Sequence, residues 1–200
     1  TEEPVSLPIL QIPESVRQQD PNLTYHAYHK LVNGNFDLDI GPRGLTCRNM
    51  PPYKGWTQWS KFFYSVFESI EQTKVLNTIE RIGLRYVNLF NGNIFNKVKV
   101  DVNINNETIT DASTNIKTEI LDEKFIKILQ VGNSVNMVKD DKMINGSVID
   151  IDCLYNINDS LIFFENHHEI IEDAHNKEKE LFFSLLEDSF LQEFKPQYGE

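Results

Sequence analysis

The chain is poor in several things that would have fixed its chemistry at once. Only two of its 200 residues are cysteine, Cys47 and Cys153, far apart and in no metal-ligand spacing. That excludes a disulfide-stapled scaffold and a zinc ribbon, and it reads as a cytoplasmic protein with two reduced thiols. No stretch approaches the about 18 consecutive apolar residues of a membrane-spanning helix, so no membrane is expected. Thr1-Glu2-Glu3-Pro4 has neither a basic nor an apolar leader segment and no initiator Met, and reads as an interior start. Basic residues are scarce. Nineteen Lys and Arg against thirty Asp and Glu give a net charge of −11. Sequence-independent binding to nucleic acid draws its affinity from clustered cations on phosphates, so this balance argues against it. There is no Gly-x-Gly-x-x-Gly, no phosphate loop, no Gly-x-Ser-x-Gly elbow and no kinase signature, and no cofactor is implied.

What is present describes a globular domain. Hydrophobic residues make up 40% and mean hydropathy is −0.39, with length enough for a substantial core. Prolines at 4, 8, 13 and 21 keep the start irregular, apart from one helical turn at Pro13–Gln18 that Asp20-Pro21 ends. Thr24–Val32 and Phe36–Ile40 read as strands, the second by strict alternation with Asp37 and Asp39. Asn33-Gly34 joins them as a type I′ hairpin turn. The second strand resumes through Leu45-Thr46-Cys47 after Gly41-Pro42-Arg43-Gly44. Trp56, Trp59, Phe63, Val66, Phe67 and Ile70 then fall on one helical stripe, suited to covering a sheet.

The next stretch, Ile79–Phe90, is the most apolar strand-like segment and reads as a central strand covered on both faces. Asn91-Gly92 predicts a hairpin to the alternating Val98–Ile104. Further strands are expected at Ile116–Leu121, Phe125–Val131, Val135–Val138 and Ser147–Tyr155, with turns at Gly132-Asn133 and Asn145-Gly146. A long helix should run from Asp159 or Ser160 to Leu186, with Phe164, His168, Ile171, His175, Phe182 and Leu185 on one stripe. A second short helix follows over Asp188–Phe194. Short links imply antiparallel pairing, and helices arriving singly after groups of strands imply α+β. The chain reads as one α+β domain, or as two intimately packed halves at about 1–105 and 106–200.

Candidate chemistry is sparse. Residues two apart in a strand share a face, so Arg81, Gly83 and Arg85 point together, with Gly83 leaving room for two guanidiniums to grip one carboxylate or phosphate. Arg81, Arg85 and Asn88 are therefore the candidate ligand-binding residues. The competing reading is that the arginines pair with the chain's own acids and that Gly83 marks a bulge or lies under a packed helix. His168 with Glu165 and Glu172, and His175 beyond, share a helix, but the His-Glu-x-x-His spacing is absent and no metal is assigned. Asp150 and Asp152 share a strand face and read as solvated. His26, Tyr28 and Lys30 share another, with no nucleophile near.

Several phrases together carry a resemblance: Ile12-Pro13-Glu14-Ser15-Val16-Arg17, Asp20-Pro21-Asn22-Leu23-Thr24-Tyr25, Ile40-Gly41-Pro42-Arg43, Tyr53-Lys54-Gly55-Trp56, and above all Arg81-Ile82-Gly83-Leu84-Arg85-Tyr86-Val87-Asn88. With the ending at His175, Phe182-Phe183 and Pro196-Gln197-Tyr198, the chain resembles a sporadically distributed family of uncharacterised prokaryotic proteins. The family's hallmark is an R-I-G-L-R-Y-I-N-like strand. The resemblance implies a further N-terminal segment and, from the family's scattered occurrence, an accessory or defence-type setting. It implies no activity. The function expected is thus a non-enzymatic protein-binding or regulatory module with a protein partner. The alternative is an anion- or nucleotide-sensing protein or enzyme using Arg81 and Arg85.

Overall fold

The computed structural model describes residues 3–76, 78–109, 113–139 and 142–194. It is α+β with antiparallel sheets and a long C-terminal helix, as the sequence implies. The chain divides into two compact units, Thr1–Asn77 and Thr78–Glu200. Among the described residues no helix is long and apolar enough to cross a membrane.

The first unit holds β1 (Val5–Ser6), a 3-10 turn at Pro8–Gln11, α1 (Glu14–Gln19), β2 (His29–Asn33), β3 (Phe36–Ile40), β4 (Leu45–Asn49) and α2 (Trp56–Thr73). The strands form one sheet in the order β1-β2-β3-β4. The β2–β3 hairpin forms as expected, although its two linking residues are Gly34 and Asn35, with positive φ on Gly34. Leu45–Asn49 does not resume β3. The Gly41 N–H bonds to the Gly44 carbonyl at 2.8 Å, and the chain reverses into an antiparallel neighbour. The strand expected over Thr24–Val32 forms only from His29, so His26 and Tyr28 lie outside it. α2 ends where Lys74 turns left-handed. Its apolar stripe stacks Trp56, Trp59, Phe63 and Phe67 at successive centroid spacings of 5.4, 5.7 and 6.1 Å, and Phe62 stacks on Phe36 of β3 at 4.6 Å.

The second unit holds β5 (Arg81–Asn91), a small hairpin of β6 (Asn103–Ile104) and β7 (Glu107–Thr108), then β8 (Asn115–Asp122), β9 (Phe125–Lys139), β10 (Lys142–Asn156), α3 (Ser160–Ser184) and α4 (Asp188–Glu193). The main sheet runs β5-β10-β9-β8, all antiparallel. Its inner face carries Leu84, Leu129, Val131, Ile149, Ile151 and Cys153, all buried beneath α3 and the segment after β5. Asp159 caps α3, its Oδ1 accepting from the N–H groups of Leu161 and Ile162 at 2.8 and 3.4 Å.

Four expectations for this unit are corrected. The partner of β5 is β10, in unbroken register from Arg81↔Asn156 to Asn91↔Gly146, and not Val98–Ile104. After Gly92 (φ +72) the chain dips inward instead of returning, because Ile94 and Phe95 are almost fully buried in the core. Val98 then bridges to Leu186, and Lys99 donates its N–H to the Leu185 carbonyl. Gly132-Asn133 is no turn: β9 runs straight through it, with Asn133 holding Thr114 through both backbone and side-chain bonds and Ser134 taking positive φ. Asn145-Gly146 does not begin a strand either, since β10 starts at Lys142 and shifts register between Gly146 and Val148. Turn-type residues here mark irregularities inside long strands. The buried stripe of α3 is Phe163, His167, Ile170, Ile171, Ala174, Glu178 and Phe182, mostly one residue away from the expected row. His167 and Glu178, being polar, disguised it.

Candidate functional site

The motif strand β5 is the outermost strand of its sheet. Among the described residues no strand pairs with its far edge. The expectation of a central strand covered on both faces is therefore wrong on both counts. Strand parity explains the pattern: Ile82, Leu84, Tyr86, Asn88 and Phe90 turn to the inner face and are buried or half-buried, whereas Arg81, Gly83, Arg85, Val87 and Leu89 are exposed. Val87 and Leu89 leave 53% and 56% of their surface open, a high value for aliphatic side chains on a sheet.

The three sequence-selected residues do not converge. Arg85 grips Asp150 of β10 with two donors, Nε to Oδ1 at 2.8 Å and Nη2 to Oδ2. That bond raises the guanidinium's affinity for its proton, with the Asp150 and Asp152 charges adding to it against the opposing effect of burial. Arg81 lies near enough to Asp152 to be felt by it: burial pushes the Asp152 carboxyl up, while Arg85 and Arg81 pull it down. Asn88 is on the opposite face, its amide donating to the Ile149 carbonyl at a long 3.5 Å. Gly83 is no bulge, since the register is unbroken across it. Nor is it crossed by a helix. A Cβ there would stand 2.9 Å from Leu154 Cδ2 and 3.0 Å from Asp152 Oδ1, so the glycine admits the side chains of the neighbouring strand.

Beneath α3 the groups are of a different kind. Tyr86 Oη lies 3.3 Å from His175 Nδ1, and burial lowers the proton affinity of that imidazole. Asp122, at the β8–β9 turn, accepts from Lys127 at 2.6 Å and from Lys177 at 3.0 Å, and these bonds hold its carboxyl below the ordinary range. Glu178 is 4% exposed, and burial pushes its carboxyl up to about 7. Burial likewise pushes the Cys153 thiol, and Cys47 in the first unit, up to about 12, which leaves both free cysteines poor nucleophiles. Among the described residues no group of three or more His, Cys, Asp or Glu is placed to hold a metal.

The first unit carries a polar arrangement that the sequence reading missed. On the face of its sheet away from Phe36, Arg48 reaches both Asp39 and Asp37 (3.6 Å to the latter), and Lys30 reaches Asp37 at 3.3 Å. Asp37 is more buried than its apolar neighbour Leu38. Beside this network lies an open cleft of about 400 Å³ lined by Asn22, Tyr25, His26, Asp39, Thr46 and Arg48 among others. The β3–β4 register sets Asp37 against Arg48 and Asp39 against Thr46, whereas a β4 that merely continues β3 would keep these residues apart.

The fold thus defines an α+β protein of two sheet units whose most distinctive sequence lies on an open edge. No family model, curated protein or solved structure matches the chain.

Proposed function

We propose that the chain is a non-enzymatic protein-binding module and that β5 is its recognition edge. The observation that supports this reading is the placement of the motif strand. Eleven residues run along the outside of the sheet without a bulge or proline, and Val87 and Leu89 stand exposed beside an arginine whose charge Asp150 already meets. Natural sheets blunt such edges with short strands, lysines, prolines or bulges; a long, regular edge is a template for strand addition. At the other edge of the same sheet, β8 is three residues shorter and presents Lys117 and Glu119. The anion-binding alternative has less support, because Arg85 is engaged and Asn88 faces away. A prokaryotic accessory or defence-type setting belongs to the proposal through the motif resemblance alone.

The test is affinity capture of the full chain from its native host, beside a Val87→Lys/Leu89→Lys variant. The proposal expects a specific co-purifying chain, either this protein or another, that the variant loses. Capture unaffected by the variant, or turnover of nucleotides, nucleic acid or peptide bonds by the purified protein, would overturn it.

A further inference from the structure

We infer that the strand completing the sheet beside β5 is β5 of a second copy of this chain, antiparallel across a two-fold axis centred on Asn88. This rests on the reading of β5 as a recognition edge and adds the identity of its occupant.

A two-fold axis perpendicular to the sheet keeps α3 of both copies on one side. Directly opposed residues must then have the same parity, odd facing odd and even facing even. Five registers, centred on residues 84 to 88, keep seven or more of the eleven residues paired. Centring on Leu84 sets Val87 against Arg81, and centring on Arg85 sets Val87 against Gly83 and opposes the two Arg85 guanidiniums, so neither covers the exposed aliphatics. Centring on Tyr86 sets Leu89 against Gly83 of the second copy. The space at Gly83 is already taken by Leu154 and Asp152 of its own chain, so it offers Leu89 no pocket. Centring on Val87 sets Leu89 against the charged Arg85. Centring on Asn88 sets Val87 against Leu89 and Leu89 against Val87, so the two exposed aliphatic pairs cover one another. On the inner face the same register sets Tyr86 against Phe90, an aromatic cross-strand pair.

Charge agrees with this register. Residues 81–91 contain two arginines and no acid, in a unit that is otherwise strongly acidic. Arg85 falls opposite Asn91 and Arg81 lies beyond the overlap, so no like charges are opposed. The net −11 of each copy still repels its partner over a distance, and salt screens that repulsion, with a Debye length of about 8 Å at physiological ionic strength. Self-association should therefore strengthen as salt is added. A basic protein partner on the same edge would weaken instead.

The experiment is sedimentation of the full chain at several salt concentrations. Wild type is expected at twice the 23.3 kDa chain mass, with dimer favoured by salt. Val87→Lys/Leu89→Lys and Val87→Glu/Leu89→Glu should each sediment as single chains with an unchanged circular dichroism spectrum. Mixing the two should restore the dimer, because each lysine then faces a glutamate. Should a doubly charged variant fail to fold, Asn88→Cys in the otherwise wild-type chain gives an independent reading: it should cross-link to itself on oxidation, in a way that wild type, with Cys47 and Cys153 only, does not. A wild-type chain that stays single at all salt concentrations, charge variants that remain dimeric, or an Asn88→Cys chain that does not cross-link would overturn the inference. If the chain is single yet the edge variant still loses another captured protein, this inference fails and the recognition edge stands; if nothing is lost, both fail.

Discussion

Residues 1–77 and residues 78–200 both set an antiparallel sheet against a helix, but they stabilise it by different means. Of the twenty buried apolar residues found among those described, nineteen lie in the second unit and only Phe67 in the first. The first unit substitutes an aromatic ladder along α2 and an ion network of Lys30, Asp37, Asp39 and Arg48 for a core. Charge divides the same way. The first unit holds seven Lys and Arg against eight Asp and Glu, while the second holds twelve against twenty-two. A small sheet unit has little interior to give, so one side chain carries much of its stability. A larger one spreads the load and can afford an open edge.

That contrast can be broken by experiment, and both tryptophans, Trp56 and Trp59, sit in the first unit and report on it alone. Phe67→Ala should have the largest effect, about 3–5 kcal/mol, shifting the tryptophan-detected denaturation midpoint. Ile151→Ala, at a fully buried position on β10, should lower the stability of the second unit by about 2–5 kcal/mol and move the helical circular dichroism signal while leaving the tryptophan transition in place. Equal movement of both probes by either variant would merge the two units into one cooperative block.

Glu178 sharpens the comparison through pH. Its carboxyl is raised to about 7 in the folded chain from an ordinary 4.5, so the folded state prefers the protonated form. Its contribution is complete below the ordinary value and is lost as pH rises from about 4.5 through about 7. Above that window Glu178→Gln should stabilise the chain by up to roughly 3 kcal/mol, and below it by little, which pH-dependent denaturation would show. The smallest effect belongs to Arg85→Ala. Arg85 is 59% exposed, and its pair with Asp150 is worth at most about 1 kcal/mol in urea denaturation.

Local patterns in the sequence were legible where neighbours in the chain are neighbours in space. The β2–β3 hairpin, α2 and the start of α3 follow from periodicity and capping alone. The pairing of β5 was not legible, because its partner β10 begins 51 residues after β5 ends, and nearby Val98–Ile104 had the more perfect alternation. Adjacent asparagine and glycine mislead in the same direction, since Gly132-Asn133 and Asn145-Gly146 have the composition of turns and lie within strands. Of the candidate site, the shared face of Arg81 and Arg85 was correct by parity. What the sequence did not reveal is that Asp150 of β10, 65 residues away, meets Arg85, and that β5, which carries Arg81 and Arg85, lies at an edge.

Hydrogen exchange at the two edges of the second sheet tests the central claim most directly. If β5 is a recognition edge occupied by a second copy in the register centred on Asn88, amides over residues 85–91 should gain protection as protein concentration rises, while those of β8 over residues 115–122 do not change. Protection of β5 that is independent of concentration and equal to that of β8 would contradict the account.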